Sequence, residues 1–110
     1  MENNFKKELE NSKNLESEFK LLFREAENIL KNKNIIFKND IELFFKKVED
    51  FESNIDFETR GSLSKEIVFN IVELNKYGIK IAENNKISEK NYYVRNFIDA
   101  ISYYEKFLED

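Results

Sequence analysis

The sequence predicts an all-α protein, a single-domain four-helix antiparallel bundle over residues 1–110 in which the third helix is the most buried. Two observations carry this prediction: apolar side chains recur every three or four positions, and polar capping residues stand where helices should begin. The presence of only two glycines and no proline is a weaker argument. Asn occurs fifteen times whereas Ala, Gly, Pro and Arg together occur eight times, a skew typical of an AT-rich genome. The expected source is a low-GC bacterium, one of its phages or mobile elements, or an AT-rich protist.

The first helix is predicted over about residues 4–32, with a weaker start through Phe5 and Leu9. Its polar middle, residues 10–14, is where we expect fraying or a bend. A connector at residues 31–38 follows, apolar enough to close one end of a bundle. The inward positions recur at helical spacing: Leu15, Phe19, Leu22, Phe23, Ala26, Ile29 and Leu30.

The second helix is predicted over about residues 40–59. Asn39 is its predicted N-cap, because Asp40 follows and Glu42 falls at the third helical position, which gives an Asn variant of the capping box. Gly61 is the predicted C-terminal stop. One narrow stripe of the helix is apolar: Ile41, Phe44, Phe45, Val48, Phe51 and Ile55.

The third helix is predicted over about residues 63–83, capped by Ser62 or Ser64. Apolar residues cover most of its circumference, as expected for the helix in the middle of a bundle. Gly78 interrupts it at a cost of about 1 kcal/mol relative to Ala. We therefore expect another helix to approach closely at Gly78.

The fourth helix is predicted over about residues 89–108. Ser88 is its predicted N-cap, with Ile87 packing against Tyr92 as a hydrophobic staple. Its inward face is predicted to consist of Tyr93, Val94, Phe97, Ala100, Ile101, Tyr104 and Leu108. The short connections between helices favour antiparallel neighbours.

The residue inventory excludes most catalytic chemistry. The sequence has no His, Cys or Trp, which removes most nucleophile–base pairs, soft metal sites and haem ligation. A pair of carboxylates remains possible, but 22 acidic residues on amphipathic helices supply such pairs by chance. We therefore expect a protein that is not an enzyme and uses no cofactor or metal.

Charge and hydropathy indicate a soluble, cytoplasmic protein. The net charge of −4 is spread evenly, which disfavours nonspecific DNA binding and a polybasic membrane contact. The chain lacks a signal-like start and an apolar run of membrane-spanning length.

The densest acidic stretch of the chain is the first candidate contact surface. No basic residue occurs between Lys47 and Arg60, and the spacing is not that of a calcium loop. The stretch is either a solvated helix face or a contact patch for a basic partner, with the aromatic Phe57 as a possible anchor beside it. Its acids are Glu49, Asp50, Glu52, Asp56 and Glu58.

The tyrosines of the fourth helix form the second candidate surface. Tyr93 and Tyr104 fall on the inward face, whereas Tyr92 and Tyr103, eleven residues apart, fall on the opposite one. Asn96 and Asp99 share that outward stripe, and Phe107 flanks it. Another helix of the chain buries this stripe, or it contacts a partner.

A set of lysines is a weaker candidate for nucleic-acid contact: Lys31, Lys33, Lys38, Lys46 and Lys47. They are either ordinary surface residues or a path along a phosphate backbone. In addition, the segment from Tyr92 to Leu108 resembles the terminal aromatic helix of small subunits in type III CRISPR effector complexes. That resemblance implies a place in a nucleoprotein assembly.

The sequence thus predicts a small acidic protein-binding module, most simply an inhibitor, antitoxin or immunity-type protein that acts on a more basic protein. The alternatives are a helical subunit of a nucleoprotein assembly and a structural homodimer in which paired bundles bury the fourth helix.

Overall fold

In the computed structural model, every regular element of the described residues is a helix. The structure describes the backbone of residues 2–31, 38–55 and 63–109, and the side chains of 15–31, 39–55 and 63–109. Within these ranges there are four α-helices and one closing 3₁₀ turn, with no strand. They are α1 (Glu2–Lys31), α2 (Lys38–Ser53), α3 (Lys65–Asn84), α4 (Tyr92–Glu105) and the 3₁₀ turn (Lys106–Leu108).

The apolar stripes of the four helices meet in one core. The third helix, α3, contacts each of the other three, and nine of its residues are buried. The second helix, α2, adds Phe44, Phe45 and Val48, all fully buried. The predicted inward residues of α1 and α4 whose side chains are described are buried or packed against this core. The all-α prediction is confirmed.

Gly78 lies where Phe97 of α4 packs directly against the backbone of α3. A Cβ at this position would come within 2.6 Å of Cε2 and 2.7 Å of Cδ2 of Phe97. The Phe97 ring therefore occupies the space that any larger residue at Gly78 would need. The predicted close approach at Gly78 is confirmed, and its partner is the central aromatic residue of α4.

The boundaries of α1 and α2 differ in part from the prediction. The first helix is continuous through residues 10–14. The second helix begins at Lys38, so Asn39 lies inside it and is not its N-cap. It ends at Ser53, whose Oγ donates to the carbonyl of Glu49 at 2.9 Å. The predicted continuation of the helix to residue 59 is therefore wrong at its first step, because Asn54 and Ile55 form a turn and a bend rather than a further helical turn. The residues after 55, with the predicted stop at Gly61, lie outside the described residues.

Both ends of α3 are defined by specific hydrogen bonds. Ser64 is the N-cap, since its Oγ accepts the backbone N–H of Ile67 at 3.2 Å, and this prediction is confirmed. At the other end the backbone N–H of Ile87 donates to the carbonyl of Ala82 at 2.9 Å, which closes a Schellman motif. Lys86 adopts the left-handed conformation of that motif, with φ 56°.

The start of α4 lies three residues later than predicted. Asn91, not Ser88, is the N-cap, because its carboxamide oxygen accepts the backbone N–H of Tyr93 at 2.9 Å and that of Val94 at 3.4 Å. The hydroxyl of Ser88 instead accepts the N–H of Lys90 at 3.1 Å, within a preceding turn. The predicted staple is therefore wrong as a helix-start motif, since Tyr92 is the first residue of the helix.

Candidate functional site

A groove between α2 and α4 brings together the two surfaces that the sequence singled out. Its volume is about 380 Å³. From α2 it takes Glu49 and Glu52 of the acidic stretch, and from α4 it takes all four residues of the outward stripe: Tyr92, Asn96, Asp99 and Tyr103. Phe97 and Tyr104 also line it, so its floor is continuous with the core.

The tyrosines of α4 face in opposite directions. Tyr92 is 64% exposed and Tyr103 is 41% exposed, whereas Tyr104 is 4% exposed and Tyr93 is packed against the core. The alternative in which another helix of the chain buries the outward pair is wrong in this structure. Both outward rings line the groove, and a partner could contact most of the surface of Tyr92 and a large part of that of Tyr103.

Each outward tyrosine ring packs edge-on against the inward ring that follows it. The ring centroids of Tyr92 and Tyr93 are 5.3 Å apart at an interplanar angle of 76°, and those of Tyr103 and Tyr104 are 5.0 Å apart at 85°. Phe107 adds a second contact to Tyr103 at 5.4 Å. These contacts restrict the two exposed rings, which lowers the entropy lost when a ligand packs on them.

The groove carboxylates of α2 accept hydrogen bonds from carboxamides of the neighbouring helices. Asn96 donates from Nδ2 to Oε2 of Glu49 at 2.8 Å, which joins α4 to α2 across the groove. Asn75 of α3 donates from Nδ2 to Oε1 of Glu52. Carboxamides are uncharged, so these bonds orient the carboxylates without cancelling their charge.

Asn75 is the residue that the sequence analysis missed. It is fully buried in α3, and its Nδ2 also donates to the carbonyl of Ile71 at 2.8 Å. Its Oδ1 is buried without a hydrogen-bond partner among the described residues. The available signal was its place on the same helix face as Ile71 and Gly78, where a polar residue interrupts an apolar surface.

The remaining predicted acidic residues do not all join the groove. Asp50 is exposed on α2 and does not line it. Asp56, Phe57 and Glu58 lie outside the described residues, so their place relative to the groove is a prediction only. The acidic contribution that the structure describes comes from Glu49, Glu52 and Asp99.

The predicted lysine set extends from the end of α1 to the middle of α2 and is partly paired. Lys47 lies 3.2 Å from Oε1 of Glu25, an ion pair that joins α2 to α1. Lys31 and Lys46 are exposed. Lys33 lies outside the described residues, as does the side chain of Lys38, which begins α2.

The acidic groups of the groove do not form a metal centre. Among the residues that the structure describes, no group of three or more acidic side chains has the geometry to bind a metal ion. A second concavity of about 580 Å³, between the start of α2 and the α3–α4 turn, contains none of the predicted site residues. No described helix is long and apolar enough to cross a membrane.

Comparison of the chain with protein-family models, with curated proteins and with solved structures found no match.

Proposed function

We propose that the protein is a non-catalytic binding module whose α2–α4 groove contacts a more basic protein, in the manner of an inhibitor, antitoxin or immunity protein. The observation that carries the proposal is the convergence of two independently predicted surfaces. Glu49 and Glu52 approach from α2, and Tyr92, Asn96, Asp99 and Tyr103 approach from α4.

The composition of the groove matches that of a protein interface. Exposed, oriented aromatic side chains are the residues that most often dominate binding energy, because they bury a large area at low entropic cost. Carboxylates beside them favour encounter with a basic surface and disfavour an acidic one. Tyr103 with its neighbour Phe107 is the strongest anchor, because both rings are exposed and in mutual contact.

The proposal includes the absence of catalysis. The groove presents carboxylates, a carboxamide, phenols and the hydroxyl of Ser53, which donates to the carbonyl of Glu49. The chain has no His or Cys that could serve as a base or nucleophile beside them. We further propose that the protein is a single cytoplasmic domain in which the four helices run antiparallel to their neighbours. Short connections favour that order, such as the seven residues 85–91 between α3 and α4.

The direct test is affinity capture from the host with matched variants. Wild-type chain, Tyr103→Ala and Phe69→Ala would be immobilised at equal density. Phe69 is a suitable control because it is 52% exposed on α3 and does not line the groove. We expect one protein with a basic surface to be retained by wild type and by Phe69→Ala but to be lost with Tyr103→Ala. Equal retention by all three would contradict the proposal.

The charges of the groove are tested by association kinetics. Reversal of Glu49, Asp50 and Glu52 to Lys should slow association and weaken its salt dependence. Because Glu49 and Glu52 accept structural hydrogen bonds, Asp99→Lys is the cleaner variant, since Asp99 is exposed and lines the groove. Asp50→Lys, outside the groove, is the matched control and should have the smaller effect.

The nucleoprotein alternative rests on the exposed Lys31 and Lys46, on Lys47 and on the resemblance of the last helix. The ion pair of Lys47 with Glu25 weakens the field that these lysines would offer to phosphates. Binding of RNA or DNA at near-physiological salt, abolished by Lys31→Glu with Lys47→Glu, would establish this alternative in place of the protein-binding module.

The homodimer alternative makes the second copy the partner of the outward tyrosines. Light scattering coupled to size exclusion decides it directly. A dimer that becomes a monomer in Tyr103→Ala, but not in Phe69→Ala, would support it.

A further inference from the structure

We propose, on the basis of the proposed function, that the groove is a receptor for an arginine side chain of the basic partner. The guanidinium would lie between the α2 and α4 walls, with Tyr92 or Tyr103 against its face and Glu49 and Asp99 as acceptors of its N–H groups.

Charge distribution is the first argument. Lys47 forms an ion pair with Glu25, and Lys76 forms ion pairs with Glu73 and Glu105. All of these residues lie outside the groove. Within the part of the chain that the structure describes, Glu49 and Asp99 form no such pair. A cation from outside therefore meets carboxylates that the fold has not neutralised.

The orientation of Glu49 is the second argument. Its Oε2 accepts the amide of Asn96 at 2.8 Å, so the carboxylate is positioned from across the groove before any ligand arrives. A positioned carboxylate binds a cation without first losing side-chain freedom. The Asn96 carboxamide also carries an oxygen that can accept from a guanidinium N–H.

The guanidinium of arginine fits the acceptors of the groove better than a metal ion does. Glu49, Glu52 and Asp99 line the groove, but no three acidic side chains among the described residues are placed to hold a metal ion. A guanidinium offers five N–H donors in a planar fork, whereas the ammonium of lysine offers three donors from one point. The two exposed tyrosine rings add faces on which a guanidinium stacks.

The test is a two-dimensional NMR titration of the 110-residue chain with N-acetyl-arginine methylamide. The lysine analogue and the citrulline analogue, the latter an uncharged isostere of arginine, are the comparison probes. We expect saturable shifts centred on Tyr92, Asn96, Asp99 and Tyr103, with arginine binding about fivefold or more tighter than lysine and no saturable binding of citrulline.

Two variants and their controls identify the groove as the site. Asp99→Asn and Tyr92→Leu should each weaken arginine binding severalfold, and both residues are exposed, so the fold should persist. Glu27→Gln on α1 and Phe69→Leu on α3 remove an acid and an aromatic ring outside the groove and should leave the affinity unchanged.

The outcomes separate this inference from the proposed function. Equal affinity for arginine and lysine, with both lost in Asp99→Asn, would overturn arginine recognition while leaving a cation-binding groove. Absence of saturable binding, or shifts outside the groove, would also overturn it. The proposed function would fail separately, if the captured partner were insensitive to Tyr103→Ala.

Discussion

The fourth helix, α4, contains the dipeptide Tyr-Tyr twice, and in each copy the two tyrosines lie on opposite faces of the helix. In each Tyr-Tyr pair the second residue, Tyr93 or Tyr104, packs into the core, and the first, Tyr92 or Tyr103, lines the groove. Residue type cannot explain the difference, since all four are tyrosines. The rotation of α4 about its axis, fixed by its packing on α3, determines which ring stabilises the fold and which is available for binding.

Breaking the inner face should have the largest effect. Phe97 is the central buried residue of α4, and its ring packs edge-on against Phe45 at 5.1 Å. Phe97→Ala should cost about 3 to 5 kcal/mol of unfolding free energy, and Phe44→Ala a similar amount. Phe69→Ala, the same change at an exposed site, should cost less than about 1 kcal/mol. Urea denaturation measures all three, and a small loss in Phe97→Ala would show that α4 is not part of the core.

The two tyrosines at the end of α4 allow the comparison to be made within one dipeptide. Tyr104→Ala should cost on the order of 3 kcal/mol of unfolding free energy, because a buried ring leaves a cavity. Tyr103→Ala should cost about 1 kcal/mol or less, from lost ring contacts, while partner binding falls by about 1 to 2 kcal/mol. The measurements are paired thermal melts and binding assays. If Tyr103→Ala unfolds the protein as badly as Tyr104→Ala, the outward face is internal and the groove is not a binding surface.

The packing that sets the rotation of α4 can be tested at Gly78. Gly78→Ala should destabilise the fold by up to about 2 kcal/mol, because overpacking costs about 1 to 3 kcal/mol and helix propensity returns about 1 kcal/mol. The approach of 2.6 Å to the Phe97 ring places the cost in the upper part of that range. In a Phe97→Ala background the same change should become neutral or stabilising. A double-mutant cycle measures this coupling. Additive effects of the two changes would contradict the observed contact.

The smallest expected effect concerns the start of α4. Asn91→Ala should cost about 1 kcal/mol, because the N–H groups of Tyr93 and Val94 lose their acceptor. Ser88→Ala removes only the turn contact with the backbone N–H of Lys90, so it should cost about 0.3 kcal/mol of unfolding free energy. Equal losses in thermal melts would restore Ser88 as a contributor to the helix start.

Local patterns in the sequence predicted the helices and the division of α4 into two faces, because burial follows helical periodicity. Gly78 and Ser64 were predictable for the same reason, since a glycine gap and a serine cap act within one helix. The cap at Asn91 was missed because Ser88 and Asn91 are both competent cap residues, and the choice between them depends on the turn before α4.

The sequence alone could not predict that the acidic residues of α2 and the outward residues of α4 line one groove. Glu49 and Asn96 are 47 residues apart, and no periodicity within α2 or α4 indicates that their side chains meet. Asn75 was missed for a related reason, because its donor role toward Glu52 depends on the docking of α3 against α2. Long-range pairing of polar side chains is set by tertiary packing, which local patterns do not encode.

The buried carboxamide of Asn75 has a consequence for the uniqueness of the fold. Apolar side chains cover so much of α3 that hydrophobic burial alone allows several rotations of the helix within the bundle. The observed rotation directs Nδ2 of Asn75 to Glu52, and a different rotation would lose that hydrogen bond. We expect Asn75→Leu to keep or raise the melting temperature while broadening NMR signals of α3, as several packings become populated; sharp, native-like spectra would show that the apolar residues alone select one conformation.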